Sequence, residues 1–249
     1  MTKIASHRGG TLEFGDSTLA GFTATAQMDL EEVEFDVHPT RDGEIVVHHD
    51  ATLDRTTDKA GAIAELMAED VLSAVINYSR NSHPILLNEL CAIFKESPVQ
   101  FRCEFKPGED GKPYEDFVSR VVKLLAKEGA LETTGFSSFL LDYLETIALN
   151  TDRPRLWLVS PAVLGQVGAK GVLETAKSRE IPEIGVHIDK ATPELMAMAQ
   201  DAGIEFGCWA AHSIPQIRKA IEMGVKVFTS DRPSLAIALR HQMQEGTAL

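Results

Sequence analysis

Three carboxylates sit at spacings that let them share a cation. Between Glu32 and His38 the chain alternates, so in an extended strand Val33, Phe35 and Val37 point one way and Glu34, Asp36 and His38 the other. Between Phe101 and Lys106 the pattern repeats: Phe101, Cys103 and Phe105 share one face, and Arg102, Glu104 and Lys106 share the opposite one. If both polar faces turn inward on neighbouring strands, Glu34, Asp36 and Glu104 meet. Three carboxylates in a partly dry site repel one another at a cost of several kcal/mol. Lys106 offsets one charge. A divalent cation, Mg2+ or Ca2+, offsets two and takes the oxygen ligands present. The plainer alternative is a set of ion pairs with Arg and Lys. His7, Arg8 and the run His48-His49-Asp50 add proton carriers and a guanidinium fork. Taken singly, each histidine reads as a structural residue. Together with a metal and an arginine they fit phosphate-ester cleavage, with the metal stabilising developing negative charge and imidazoles moving protons.

The elements that must position these residues follow from hydrophobic periodicity. Strands are expected at 3–6, 32–37, 99–105, 131–136, 155–159, 183–188, 204–209 and 225–229, and helices follow most of them at about 17–29, 87–96, 114–128, 138–149, 161–178, 192–202, 213–223 and 233–244. Ser138 and Thr192-Pro193 read as helix starts, and Gly129, Gly203 and Gly224 as helix stops. Eight strand–helix units in 249 residues are the arithmetic of an α/β TIM (β/α)8 barrel. An open doubly wound sheet is the alternative, but His7-Arg8-Gly9-Gly10 after the first strand lacks the G-x-G-x-x-G spacing of a nucleotide turn. The expected domain is a single one over 1–249. Residues 39–86 break the rhythm with a short strand near 44–48, a turn at Asp42-Gly43 and a short helix near 65–75. They read as a small subdomain inserted between strand 2 and helix 2 at the catalytic face. In strand six, Gly185, His187 and Asp189 share the inward side.

Composition limits the partners. Lys plus Arg is 24 and Asp plus Glu is 37, for a net charge of −13. Such a chain is a poor binder of nucleic acid or of an anionic membrane through its overall field, so a phosphate must be bound locally. No apolar run approaches a spanning length of about 18 residues, and no signal peptide is visible at the N-terminus. Cys91, Cys103 and Cys208 lie too far apart for a zinc knuckle and too few for a disulfide framework. Free thiols in or near the core and a cytoplasmic setting are expected. A homo-oligomer stays open.

The order and spacing of several motifs resemble the glycerophosphodiester phosphodiesterase family. They are His7-Arg8-Gly9, Thr18-Leu19-Ala20-Gly21-Phe22, Glu34-Phe35-Asp36-Val37, Thr40-x-Asp42-Gly43 and His49-Asp50-x-Thr52-Leu53-Asp54-Arg55-Thr56-Thr57. The likeness continues through Pro84-x-Leu86-x-x-Glu89-Leu90, Glu104-x-Lys106, Ser138-Phe139, Trp209 and Ser230-Asp231-Arg232-Pro233. The resemblance implies a TIM barrel with an insertion after strand two. It implies that Glu34, Asp36 and Glu104 are ligands of one divalent cation, that His7 and His49 are the general acid and base, that Arg8 and Lys106 contact phosphate, and that Trp209 lines the substrate pocket. The implied substrate is a small glycerophosphodiester. Its glycerol hydroxyl attacks phosphorus, and the cyclic phosphate left behind opens to sn-glycerol 3-phosphate. Where the family reads Pro-Glu-Asn-Thr, this chain has Gly15-Asp16-Ser17-Thr18, so Asp16 keeps the charge on a shorter arm and Glu13 is a candidate substitute. Ala210-Ala211-His212 stands where Thr-Val-Asn is common. His48 reads as structural or pocket-lining, and His187 and Asp189 as candidate head-group contacts. Two other readings compete: a phospholipase-D-like lipid hydrolase, and a catalytically silent barrel that binds a phosphorylated ligand.

Overall fold

The computed structural model describes residues 1–79 and 81–245. Position 80 of the expected insertion and the last four positions of the expected domain lie outside the described residues. The alternating segments form strands β1 (Lys3–His7), β2 (Glu32–Pro39), β3 (Ile45–Val47), β4 (Ile85–Leu86), β5 (Gln100–Phe105), β6 (Thr134–Ser138), β7 (Arg155–Val159), β8 (Glu183–His187), β9 (Glu205–Trp209) and β10 (Val227–Ser230). The helices are α1 (Thr11–Phe14), α2 (Leu19–Thr25), α3 (Ala68–Leu72), α4 (Leu87–Phe94), α5 (Phe117–Lys127), α6 (Leu141–Asn150), α7 (Pro161–Ser178), α8 (Pro193–Asp201), α9 (Ile214–Met223) and α10 (Pro233–Gln244). Among the described residues no helix is long and apolar enough to cross a membrane.

Eight strands pair in parallel in the cyclic order β1-β2-β5-β6-β7-β8-β9-β10, and β10 returns to β1. The ring is a closed TIM barrel, as the strand count requires. The register sets Glu34 beside Arg102, Asp36 beside Glu104 and His7 beside Glu34. The apolar faces point outward into one continuous core under the helices. Val33, Phe35, Phe101, Cys103 and Phe105 are all buried there, with Phe35 and Phe101 edge to face at 5.1 Å. Burying each large apolar side chain contributes about 1.5–3 kcal/mol. The lower end of the barrel is closed by charge: Arg102 pairs with Glu32 at 2.7 Å and with Glu183 at 3.6 Å, and Lys226 bridges Glu183 and Glu205. All three cysteines are buried free thiols.

Residues between β2 and α4 add β3 antiparallel to β2 and β4 antiparallel to β3. They carry a core of their own built from Val46, Leu53, Ile63, Val71 and Ala74. Asp42 accepts hydrogen bonds from the Thr40 hydroxyl at 2.7 Å and the Ala68 amide at 3.0 Å, which ties the turn to α3.

Several boundaries differ from expectation. Residues 131–133 form a 3-10 turn, and β6 starts at Thr134, whose hydroxyl donates back to the Ala130 carbonyl at 2.8 Å. Ser138 ends that strand instead of starting a helix. Its hydroxyl donates to the Phe105 carbonyl and accepts the Leu140 amide, tying β6 to β5 before α6 begins. Thr192 does cap α8, accepting from the Leu195 amide at 3.1 Å. Gly129, Gly203 and Gly224 take the left-handed conformation at helix ends, with φ of 74°, 72° and 68°. The long helix α7 is kinked where Gly168 has a φ of 70°.

Candidate active site

The site sits at the C-terminal ends of the barrel strands, over a cavity of about 240 Å³. Its first loop is tightly constrained. Arg8, Gly9 and Gly10 all have positive φ, at 50°, 74° and 88°. Left-handed backbone at Arg8 stores about 1–3 kcal/mol of strain. The close approach of α2 holds it in place, because a Cβ on Gly21 would lie 2.6 Å from the Gly9 carbonyl oxygen. The sharp turn points Arg8 back over the barrel. Its Nη1 donates to Asp16 at 2.9 Å, and its Nε lies 3.1 Å from Asp36. Asp16 therefore reaches Arg8 despite its shorter arm. Glu13 does not: it accepts the Ser234 and Leu235 amides and caps α10. Its carboxylate is engaged there and not on Arg8, where Asp16 is.

Glu34, Asp36 and Glu104 are all buried, and each offers an oxygen within 4.8 Å of the others. Both oxygens of Glu34, both of Asp36 and Oε1 of Glu104 lack an aligned hydrogen-bond donor. Buried carboxylate oxygens without donors are rare and call for a cation. Burial and the neighbouring Asp36 and Glu104 push the Glu34 carboxyl well above its ordinary range. Burial also raises Glu104, against the pull of Lys106. For Asp36 the burial cost is outweighed by Lys106 and Arg8, which hold it below the usual carboxylate range. Lys106 and Arg8 thus offset the charge of Asp36, whereas Glu34 bears a charge least readily unless a cation is beside it. The donor set fits a hard divalent ion.

Lys106 is 2.9 Å from Glu104, 3.6 Å from Asp36 and 3.0 Å from Nε2 of His49. Burial would lower its ammonium, but Glu104 and Asp36 keep it well above the usual lysine range. Its backbone is fixed by the Tyr143 hydroxyl, which donates to the Lys106 carbonyl at 3.2 Å and accepts the Tyr114 amide at 2.8 Å.

Both candidate proton carriers have a carboxylate behind them. His7 Nδ1 bonds to Asp231, and its Nε2 faces Glu34 at 3.7 Å. His49 Nδ1 donates to Asp50 at 2.5 Å, and Asp50 is braced by Arg55 at 2.6 Å. Such partners fix the tautomer and aim the other nitrogen into the site. Burial lowers His49, partly countered by Asp36. Buried His38, next in the β2 alternation, uses Nε2–H to hold the His49 carbonyl at 3.1 Å, while Nδ1 accepts the Tyr114 hydroxyl at 2.9 Å.

Sequence reasoning assigned no role to Asp231, Asp50, His38 or His212. Asp50 and Asp231 stood inside quoted motifs. His38 stood on the inward side of β2. His212 Nδ1 accepts the Asp231 amide at 3.0 Å, and its ring lies 5.9 Å from that of His7. His7, His212 and Asp231 have ligand atoms close enough for a second cation, but His7 Nδ1 is bonded to the Asp231 carboxylate and His212 Nδ1 to the Asp231 main-chain amide. Trp209 lines the cavity, edge to face with Phe139 at 5.5 Å. His187 packs edge-on behind Trp209 at 4.7 Å, outside the cavity lining, and exposed Asp189 accepts from Gln216 at 3.0 Å. His48 is buried and hydrogen-bonded to Thr56 at 2.9 Å.

The sequence and fold are ones that known proteins share. The sequence model of the glycerophosphoryl diester phosphodiesterase family matches residues 7–235. A crystal structure from Agrobacterium tumefaciens, assigned as a glycerophosphoryl diester phosphodiesterase, is 61% identical and superposes with a TM-score of 0.98 over 98% of this chain and 99% of that one. An Oleispira antarctica phosphodiesterase, solved in complex with the product sn-glycerol-3-phosphate, has a TM-score of 0.84 at 20% identity over 97% of each chain. A glycerophosphodiester phosphodiesterase of Caldanaerobacter subterraneus subsp. tengcongensis is 24% identical over 96% of this chain and 97% of its own length. The chain belongs to the glycerophosphoryl diester phosphodiesterase family and is a hydrolase.

Proposed function

We propose that the protein hydrolyses small glycerophosphodiesters to sn-glycerol 3-phosphate and an alcohol, using one divalent cation and two histidines. The observation that carries this is the convergence of three buried carboxylates, whose oxygens lack aligned hydrogen-bond donors, between two carboxylate-backed imidazoles. Glu34, Asp36 and Glu104 would hold Mg2+ or Ca2+, which supplies positive charge for the phosphoryl oxygens. Arg8 and Lys106 add fixed cations beside it. One histidine takes the proton of the glycerol 2-hydroxyl as its oxygen bonds to phosphorus. The other gives its proton to the departing alcohol. In the second stage the roles reverse: water loses a proton and attacks, and the ring P–O bond breaks to restore the hydroxyl. Trp209 and Phe139 wall the cavity in which one arm of the diester lies. Residues 39–86 form the inserted subdomain that places His49, Asp50 and Arg55 over this face. The substrate is a free small molecule in a cytoplasmic setting, with no nucleic acid and no membrane anchor required.

The test is a panel of glycerophosphodiesters with different head groups, assayed for glycerol 3-phosphate with and without chelator. Release should stop on chelation and return with Mg2+ or Ca2+. His7→Ala and His49→Ala should each slow turnover by about 10²–10⁴-fold. Undiminished release under chelation removes the cation from the reading. Near-normal rates in both variants remove the histidines. Cleavage of vesicle lipid in preference to the soluble diesters selects the lipid hydrolase instead, and cation binding without any cleavage selects the silent barrel.

A further inference from the structure

We propose that His212 is a specificity-determining residue whose Nε2–H holds the terminal hydroxyl of the glycerol arm. This rests on the glycerophosphodiester reading above. The top of the barrel has two unlike halves. One carries the charges of Arg8, Glu34, Asp36, Glu104 and Lys106. The other is walled by Phe139 and Trp209 and closed below, inside the barrel, by Leu156, Gly185 and Gly207. A diester with its phosphate over the charges must lay one arm in this second, enclosed half.

That half is built for a small polyol. Its walls are apolar, yet Ser137 Oγ and Trp209 Nε1 are buried there without hydrogen-bond partners. His212 lines the same space, and its Nε2 meets no partner among the described residues. Because Nδ1 accepts the Asp231 amide at 3.0 Å, the proton of the neutral ring sits on Nε2. Two buried polar atoms without partners, with the half-buried His212 Nε2 beside them, match an arm with hydroxyls on a short carbon chain. The alcohol that varies between substrates is directed to the other side. There, Arg55 and Thr56 of the insertion border an open groove of about 800 Å³ with Phe14, Asp16 and Tyr78. With glycerol in the enclosed half, His7 faces its 2-hydroxyl. His212, whose ring lies 5.9 Å away and shares Asp231, faces the hydroxyl one carbon further on.

The experiment compares glycerophosphocholine with 2-hydroxypropyl phosphocholine, which keeps the attacking hydroxyl and lacks only the terminal one. Wild-type protein should favour the glycerol ester by about tenfold or more in kcat/KM, the range of a hydrogen bond made to one substrate and missing from the other. Two variants separate the ring nitrogens. His212→Asn keeps an acceptor for the Asp231 amide but does not reach the hydroxyl. His212→Gln carries its amide out to the Nε2 position. The preference should collapse towards unity in His212→Asn, chiefly through loss on the glycerol ester, and persist in His212→Gln. Equal losses on both esters in His212→Asn, or an unchanged ratio, overturn the assignment while leaving the activity standing. A wild-type protein that cleaves neither ester overturns the glycerophosphodiester reading and this one with it.

Discussion

At the scale of single residues, the carboxylate triad works against folding when no cation is bound. Glu34 is 3% exposed, and its own burial and two neighbouring acids push its carboxyl upward. Arg8 lies 3.1 Å from Asp36 and Lys106 lies 2.9 Å from Glu104, while Glu34 has only His7 within 4 Å among the described basic side chains. Glu34→Gln replaces this carboxyl with a permanently neutral amide of nearly the same volume, which removes the cost of charging or protonating it in the metal-free site. Its metal-free melting temperature should rise, by about 2–4 °C for each kcal/mol of repulsion relieved. Wild-type protein should gain stability as Mg2+ or Ca2+ is added, about 2.7 kcal/mol at a hundredfold excess over Kd. In Glu34→Gln that gain should shrink. Thermal melting across a cation titration reads both effects without any assay of turnover. If wild-type melting is indifferent to both ions, these carboxylates do not hold a cation.

At the scale of elements, β2 does more than supply ligands. Its inward side continues past Glu34 and Asp36 to His38, which ties the loop carrying His49 to Tyr114 in the segment before α5. Burial lowers His38 to about 4. In the unfolded chain a histidine takes up its proton near pH 6.5, whereas folded His38 refuses it until about pH 4. Its contribution is therefore full above pH 6.5 and is lost as pH falls towards 4, by up to about 3 kcal/mol. Burial shifts His48 in the same direction. Glu34 and Glu104, raised by burial, act oppositely in that window. The measurable quantity is thus a difference. Stability of His38→Gln against pH should fall less steeply between 6.5 and 4 than that of wild type, and parallel curves would show that His38 does not titrate with folding. The inward parity of β2 and β5 was readable from alternation alone, so the triad and Lys106 could be named from sequence, and Arg8 from its place after the first strand. The carboxylates behind the histidines were not assigned that way. Asp231 meets His7 across 224 positions of chain, and only barrel closure between β1 and β10 brings them together. Local pattern also misplaced Ser138 and Glu13, because their hydrogen-bond partners lie on distant elements.

At the scale of the whole molecule, the barrel separates stability from chemistry along its axis. The lower end is closed by Arg102, Glu32, Glu183 and Lys226 in ion pairs, and the upper end gathers three carboxylates around two cations, Arg8 and Lys106. The overall charge of −13 surrounds an upper end where Arg8, Lys106 and the proposed cation would reverse the sign locally. A diester approaching from solution meets the repulsive outer field before the attractive inner one. Screening acts on the outer field first, because the Debye length shrinks from about 30 Å at 0.01 M salt to about 10 Å at 0.1 M. A diester with a neutral second alcohol carries net charge −1 and should gain a few-fold in kcat/KM as salt rises through this range. A choline diester has no net charge and should change little. Initial rates for both substrates, at saturating cation and constant pH, decide the matter. A fall in kcat/KM for the anionic diester over the same range would mean that the local positive site, and not the net charge of the molecule, governs encounter.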